Sequence, residues 1–143
     1  MRILSQIKLP AVIDNLAKFI GSVSLCAGEQ GFSNERISQI HLAMEEILMN
    51  VINYSYQEQD KPGDAEVTCS LDDDNRFVIE VVDTGVPFDL LSAEDPDITL
   101  EIDERNVGGL GIFIVKKLMN DVEYRREDNK NILTIIADKE KNE

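Results

Sequence analysis

The apolar residues of this chain follow helical spacing in some segments and alternate in others, and the order of these segments constrains the fold. The pattern predicts a strand at 2–9, helices at 11–26 and 33–56, strands at 67–71 and 77–82, a helix near 112–119, and strands at 122–126 and 132–137. This order predicts an α/β fold, a two-layer sandwich in which about three helices cover a mixed, mainly antiparallel β-sheet. With 143 residues, the chain is expected to form a single domain over 1–143.

The charge of the chain limits the partners that it can have. There are 28 acidic and 14 basic residues, which give a net charge of −14. Such a field repels nucleic acid, so no nucleic-acid partner is expected. It also repels free ATP, and a nucleotide ligand is therefore expected to arrive with a divalent cation.

Hydropathy and cysteine content indicate a protein of the cytoplasm. No apolar run approaches the roughly 18 residues that span a bilayer, and the N-terminus lacks the apolar core of a signal peptide. We therefore expect a cytoplasmic location and no membrane partner. Cys26 and Cys69 have no CxxC spacing or neighbouring histidine, so both are expected to be buried, unpaired thiols.

A narrow polar stripe runs along the predicted helix 33–56. At about 100° per residue, Asn50 and Asn53 fall within roughly 40° of Glu46, away from the apolar arc. An ordinary solvated face is one interpretation, although the stripe has no Lys or Arg to pair with Glu46. The other is a metal-phosphate site, because an Asn carbonyl suits a hard cation and a carboxylate one turn away can accept a proton.

Two glycine motifs follow the predicted strand 77–82. Asp83 stands where the strand ends and could accept an N–H from a ligand base, while Gly85 would let a ligand lie against the main chain; a plain turn is the alternative. The cluster at 106–111 leads into a helix, so its N–H groups could bind an anion, or it could act as a hinge. Between the motifs, 87–107 is acidic and lacks a sustained period, which predicts a lid loop or a disordered segment.

Taken in order, these motifs resemble the GHKL superfamily of ATP-binding domains over roughly residues 5–137. Glu46-x-x-x-Asn50 resembles its N box, and Asp83-x-Gly85 its first glycine box. Gly109-Leu110-Gly111 resembles the second glycine box, and Thr134 the late-strand threonine that helps hold adenine. The short length and Glu104-Arg105 are most similar to the bacterial anti-sigma-factor serine/threonine kinases.

The resemblance implies binding of ATP and Mg²⁺. Asn50 would ligate magnesium, Asp83 would accept a hydrogen bond from the adenine amino group, and the glycines would cradle phosphate. The predicted cofactor-binding residues are therefore Asn50, Asn53, Asp83, Gly85, Gly109, Gly111 and Thr134.

The resemblance also implies a reaction and partners. Glu46 would take a proton from an incoming hydroxyl, and Arg105 would reach the γ-phosphate. Kinases of this kind phosphorylate a STAS-domain anti-anti-sigma protein, sequester a sigma factor and form homodimers. Tyr54 departs from the family, since relatives often carry His or Lys there. That departure and the acidic lid support an alternative, an ATP-gated protein-binding module without phosphotransfer.

Overall fold

A computed structural model describes residues 1–57, 59–89, 91 and 109–139. Its elements are β1 (Arg2–Pro10), a 3-10 turn (Ile13–Asn15), α1 (Leu16–Glu29), α2 (Asn34–Asn50), a π-helical turn (Val51–Ser55), β2 (Asp64–Leu71), β3 (Phe77–Asp83), α3 (Gly109–Leu118), β4 (Asp121–Glu127) and β5 (Lys130–Ala137). The predicted order of strands and helices is confirmed. No helix in this described part is long and apolar enough to cross a membrane.

The five strands form one sheet in the order β1-β2-β3-β5-β4. All four pairings are antiparallel. Strands β3 and β4, which are connected through α3, run in the same direction. They do not pair with each other, because β5 lies between them. The two-layer α/β sandwich is therefore confirmed, and the described strands contain none of the parallel pairing that a mixed sheet implies.

The core lies between the three helices and one face of the sheet. Cys69, Ile79 and Ile135 are neighbours across β2, β3 and β5, and all three are completely buried. Helix α2 covers this layer with residues such as Met44 and Ile47, and α1 and α3 pack on either side of it. Removal of this apolar surface from water is the main stabilising term of the fold.

Both cysteines are free and buried, as predicted. Burial is the first cause that raises the pKa of the Cys69 thiol to about 12, and the neighbouring Cys26 thiol adds to the effect. The thiolate form is therefore scarce at neutral pH, which makes Cys69 a packing residue rather than a nucleophile.

The uninterrupted apolar run of β3 suggests a strand covered on both faces. The face opposite the helices carries Val78, Glu80 and Val82, and no described helix packs over it. Glu80 there pairs with Arg125 of β4 at 3.8 Å. A helix layer on this second face of β3, which the apolar run suggests, is thus not found in the described residues.

Helix α2 begins as predicted and ends differently. The Ser33 side chain accepts a hydrogen bond from the Arg36 N–H at 3.1 Å, which caps the first turn. The helix was predicted to continue to about Tyr56, but after Asn50 its last turn widens into the π-helix Val51–Ser55. Such π turns interrupt α-helices frequently at functional sites.

A buried arginine connects α2 to the end of α3. The Arg36 guanidinium donates to the main-chain carbonyls of Leu118 and Asp138 and to the Asn120 side chain. It is only 3% exposed, and burial lowers its pKa from the ordinary value while Asp138 opposes the change. This network sets where α3 lies against α2.

Candidate functional site

A small cavity lies between the end of α2 with its π turn and the helix-facing side of β3 and β5, near Asp83 and Asn131. Its walls are formed by Ile47, Val51, Ser55, Val81, Asp83, Phe88, Tyr124, Asn131 and Leu133. It has an enclosed volume of about 20 Å³, roughly the space of one water molecule. Apolar walls with a few convergent polar groups are typical of small-molecule sites. A nucleotide base needs more space than this.

Asp83 is the acidic group in this cavity, and it is only 4% exposed. Its Oδ1 accepts hydrogen bonds from the Gly85 N–H and from the Asn131 side-chain amide, both at 2.9 Å. Its Oδ2 accepts none from a described residue. One carboxylate oxygen is therefore held by the protein, and the other is available to a ligand N–H.

Asn131 is a site residue that the sequence analysis missed. It is 5% exposed and makes five hydrogen bonds, to Asp83, Val86, Phe88, Tyr124 and Arg126. The signal was present: on β5, positions 131, 133, 135 and 137 share the face that packs on the helices, and only Asn131 among them is polar. A buried polar residue on a core-facing position requires hydrogen-bond partners.

The prediction that Thr134 helps hold adenine is wrong. In β5 the side chain of Thr134 lies between those of Glu80 and Glu123 on the face opposite the helices. Its Oγ1 is 3.5 Å from Nη1 of Arg125, which also pairs with Glu80. Successive strand residues point to opposite faces, so Thr134 cannot share the cavity with its neighbour Leu133.

The part of the polar stripe that carries Glu46 and Asn50 is not a fully solvated face. Asn50 is 7% exposed, and its side-chain amide donates to the main-chain carbonyl of Glu46 at 2.7 Å. Its Oδ1 accepts no hydrogen bond from a described residue. Glu46 is half-buried, and its carboxylate lies directly against Gly111 of α3. Of the two residues predicted to act together, Glu46 thus lies against α3, and Asn50 is bonded to the main chain one turn before it.

The two glycines of the second motif lie inside α3, whereas the sequence pattern predicts that this helix begins after them. Gly109 is its first residue and Gly111 its third. A Cβ on Gly111 would be 3.0 Å from Cδ of Glu46 and would overlap Oε2 of the same side chain. Only glycine leaves this room, and the Glu46 carboxylate therefore reaches the positive N-terminal end of the helix.

Gly85 lies against the π turn that follows α2. A Cβ on this residue would overlap the main chain of Ser55, and the next N–H, that of Val86, donates to the Ser55 carbonyl at 2.9 Å. Glycine is needed here for the close approach of the turn to the π-helix.

The remaining predicted residues lie outside the cavity walls or outside the described residues. Asn53 is exposed on the π turn and is not among the cavity-lining residues. Tyr54 is half-buried, with its ring centroid 5.2 Å from that of Phe88. Arg105 lies outside the described residues, as does most of the predicted lid at 87–107, of which only 87–89 and 91 are described.

Comparisons with known proteins show what this chain is similar to. Residues 9–137 match the family described as histidine kinase-like ATPase domain. The chain is 27% identical over 132 residues to the serine-protein kinase RsbW of Bacillus cereus (strain AH820), covering 90% of this chain and 81% of that protein. RsbW of Bacillus thuringiensis (strain Al Hakam) is 25% identical over the same shares.

Two solved structures share the fold. One contains the RsbU and RsbW domains of Rv1364c from Mycobacterium tuberculosis, with a TM-score of 0.63 and 15% identity, covering 94% of this chain and 32% of that longer chain. The other is the SiaB-SiaC complex from Pseudomonas aeruginosa, with a TM-score of 0.65 and 11% identity, covering 94% of this chain and 89% of the matched chain.

Proposed function

Because the chain belongs to the histidine kinase-like ATPase domain family, we propose that it binds ATP with Mg²⁺ and phosphorylates a serine or threonine of a STAS-domain anti-sigma antagonist. One observation carries the proposal. Glu46 and Asn50 lie one turn apart on α2, and the Glu46 carboxylate lies against Gly111 of α3. A carboxylate and a free amide oxygen are thereby placed at the start of a helix that can bind phosphate.

The adenine base is proposed to bind in the cavity beneath α2. Asp83 offers Oδ2 as an acceptor for the exocyclic amino group, and its Oδ1 is already held by Gly85 and Asn131. Apolar side chains such as Val81 and Leu133 supply the walls that a planar ring requires. Burial of Asp83 strengthens such a hydrogen bond, because water does not compete for the acceptor.

The phosphates are proposed to lie at the N-terminus of α3, beside Asn50. The described residues contain no group of three or more His, Cys, Asp or Glu side chains that could hold a metal by themselves. Asn50 alone offers a neutral oxygen, which fits Mg²⁺ because this ion usually takes one or two protein ligands together with phosphates and waters. When bound, Mg²⁺ would neutralise phosphate charge. The N–H groups of Gly109 and Gly111 are free of side-chain bulk and can approach the phosphate oxygens.

Glu46 is proposed to accept the proton of the attacking hydroxyl. Its carboxylate is held between α2 and α3 and carries no basic partner among the described residues that would neutralise it. Arg105 is proposed to stabilise charge on the γ-phosphate, as the family resemblance implies, although it lies outside the described residues. Transfer then depends mainly on positioning and electrostatics.

The partners are proposed from the relatives. Proteins named serine-protein kinase RsbW match most of this chain, which supports a protein substrate with a serine or threonine acceptor. A structure with the same fold was solved as a two-protein complex. We extend this to a STAS-domain antagonist, a sequestered sigma factor and a homodimer in the cytoplasm.

The direct test is transfer of the γ-phosphate of Mg-ATP to purified STAS-domain antagonists. The wild type should label its antagonist, and Glu46→Gln should lower the rate by about 100-fold or more, since general bases contribute roughly 10²–10⁴-fold. Glu45→Gln is the matched control, because this neighbour is exposed and, among the described residues, pairs with His41. A wild type that labels no antagonist, or a Glu46→Gln variant as active as wild type, would refute the proposal.

A second candidate is an ATP-gated binding module that transfers no phosphate. Tyr54 favours it, because its ring packs on Phe88 and brings no positive charge to the site. Under this alternative, Glu46→Gln would retain ATP-dependent partner binding and lose no function. Phosphate transfer to the antagonist separates the two candidates, because under the alternative the wild type binds the antagonist in pull-downs with Mg-ATP as Glu46→Gln does, and neither labels it.

A further inference from the structure

We infer that Asn131 is a positioning residue that orients Asp83 for recognition of an amino-bearing purine and attaches the Phe88 wall to the same cavity. The inference rests on the proposed nucleotide site, and it concerns a residue outside the sequence motifs. Asn131 lies on β5 directly across from Asp83 of β3, where the two strands pair.

The donor side of the Asn131 amide is fully used. Its Nδ2 donates to Oδ1 of Asp83 at 2.9 Å and to the main-chain carbonyl of Val86 at 2.8 Å. These are the two donors that an amide group possesses. Asn131 therefore joins the strand that carries Asp83 to the turn that follows it.

The acceptor side is equally occupied. Oδ1 of Asn131 accepts from the Tyr124 hydroxyl at 2.6 Å, the Arg126 guanidinium at 3.2 Å and the Phe88 N–H at 3.3 Å. A flipped amide would place its NH₂ group against the Arg126 and Phe88 donors, so the network permits one orientation only.

Arg126 strengthens this arrangement from the neighbouring strand. Its guanidinium also donates to the Gly85 carbonyl at 2.8 Å, so the Asp83–Gly85 turn is held from β5 and β4 together. The result is that Asp83 cannot rotate freely: Oδ1 is bound on two sides, and Oδ2 remains as the acceptor for a ligand. A recognition group held by a second layer of hydrogen bonds loses little freedom on binding.

This arrangement predicts selectivity for bases that carry an amino donor. ATP has an exocyclic amino group, whereas inosine triphosphate has a carbonyl oxygen at that position, which would face the carboxylate of Asp83. A hydrogen bond to a charged group corresponds to a difference of roughly tenfold to 100-fold in affinity. Wild type should therefore bind Mg-ATP at least about tenfold more tightly than Mg-ITP.

The test compares Kd values for the two nucleotides in variants of one strand. Asn131→Ala and the nearly isosteric Asn131→Asp both remove the donors to Asp83 and should reduce the ATP-over-ITP preference by at least about fivefold. Thr134→Ala, on the opposite face of β5, is the matched control and should keep the wild-type preference. Equal weakening of both nucleotides, with the preference retained, would show a merely structural role and overturn the inference.

A second measurement does not require nucleotide. Hydrogen exchange of the Gly85 and Phe88 amides should be faster in Asn131→Ala than in Thr134→Ala, because both amides donate to atoms of the Asn131 network. Unchanged exchange at both amides would overturn the inference by itself. If wild type binds neither nucleotide, the proposed function fails, and the exchange rates still decide whether Asn131 orients this turn.

Discussion

The substitution Gly111→Ala should impair the proposed chemistry while leaving the stability of this protein nearly unchanged. The added Cβ would be 3.0 Å from Cδ of Glu46 and would overlap Oε2, so the carboxylate has to move. The atoms displaced are the far end of a flexible side chain, and the main chain of α3 can remain in place. The structure therefore predicts a local loss of geometry at Glu46 without unfolding.

The magnitudes follow from this geometry. Within a helix, glycine is less stable than alanine by roughly 0.5–1 kcal/mol, and this gain offsets the cost of moving one side chain. The free energy of unfolding should therefore change by no more than about 1 kcal/mol. Displacement of a general base by about 1 Å can cost on the order of 100-fold in rate, so phosphate transfer should fall by about that factor.

Two assays and one control test this reasoning. Urea denaturation measures the free energy of unfolding, and single-turnover transfer from Mg-ATP to the antagonist measures the chemical step. Gly21→Ala is the control, because Gly21 lies in α1 with no atom within 4 Å of an added Cβ. It should be neutral or stabilising and fully active. Gly111→Ala with the wild-type transfer rate would refute the role assigned to the Glu46–Gly111 contact.

Two further predictions concern the core. Arg36→Met should lower the free energy of unfolding by about 3 kcal/mol in urea denaturation, because buried acceptors such as the Leu118 carbonyl lose their donor; a loss below about 1 kcal/mol would contradict it. Burial raises the pKa of the Cys69 thiol from the ordinary 9.0 to about 12 in the folded state, so the unfolded chain ionises first. Wild-type stability relative to Cys69→Ala should fall as pH rises from about 9 to about 12, by at most about 4 kcal/mol; a constant difference would be inconsistent with a buried neutral thiol.

Much of the fold could be predicted because its signals are local. Ser33 caps α2 as predicted, and the turn between β4 and β5 falls where expected, with Asp128 and Asn129 at φ of 52° and 61°. Such left-handed residues are typical of a two-residue hairpin turn. The π turn after Asn50 carried no comparable signal, because its widening accompanies the packing of Ser55 against the Asp83–Gly85 turn.

The site was predicted in part. Asp83 lies in the cavity, and Glu46 lies against Gly111 of α3 with the buried Asn50 one turn further along α2. Thr134 was predicted from its resemblance to a late-strand threonine, but strand alternation puts it on the face of β5 opposite the helices. Asn131 was missed because its importance comes from Asp83, which is 48 residues away in sequence and adjacent across the sheet.

The sequence by itself determined the order of elements, the net charge of −14, and the motifs at 46–50, 83–85 and 109–111. These depend on periodicity, composition and residues within one or two turns of each other. Only the tertiary structure decided which strand residue holds Asp83, why position 85 must be glycine, and where the carboxylate of Glu46 lies. Those answers depend on the pairing of β3 with β5 and the packing of α3 on α2. Such contacts join residues that are far apart in the sequence, so the local sequence around one does not predict the other.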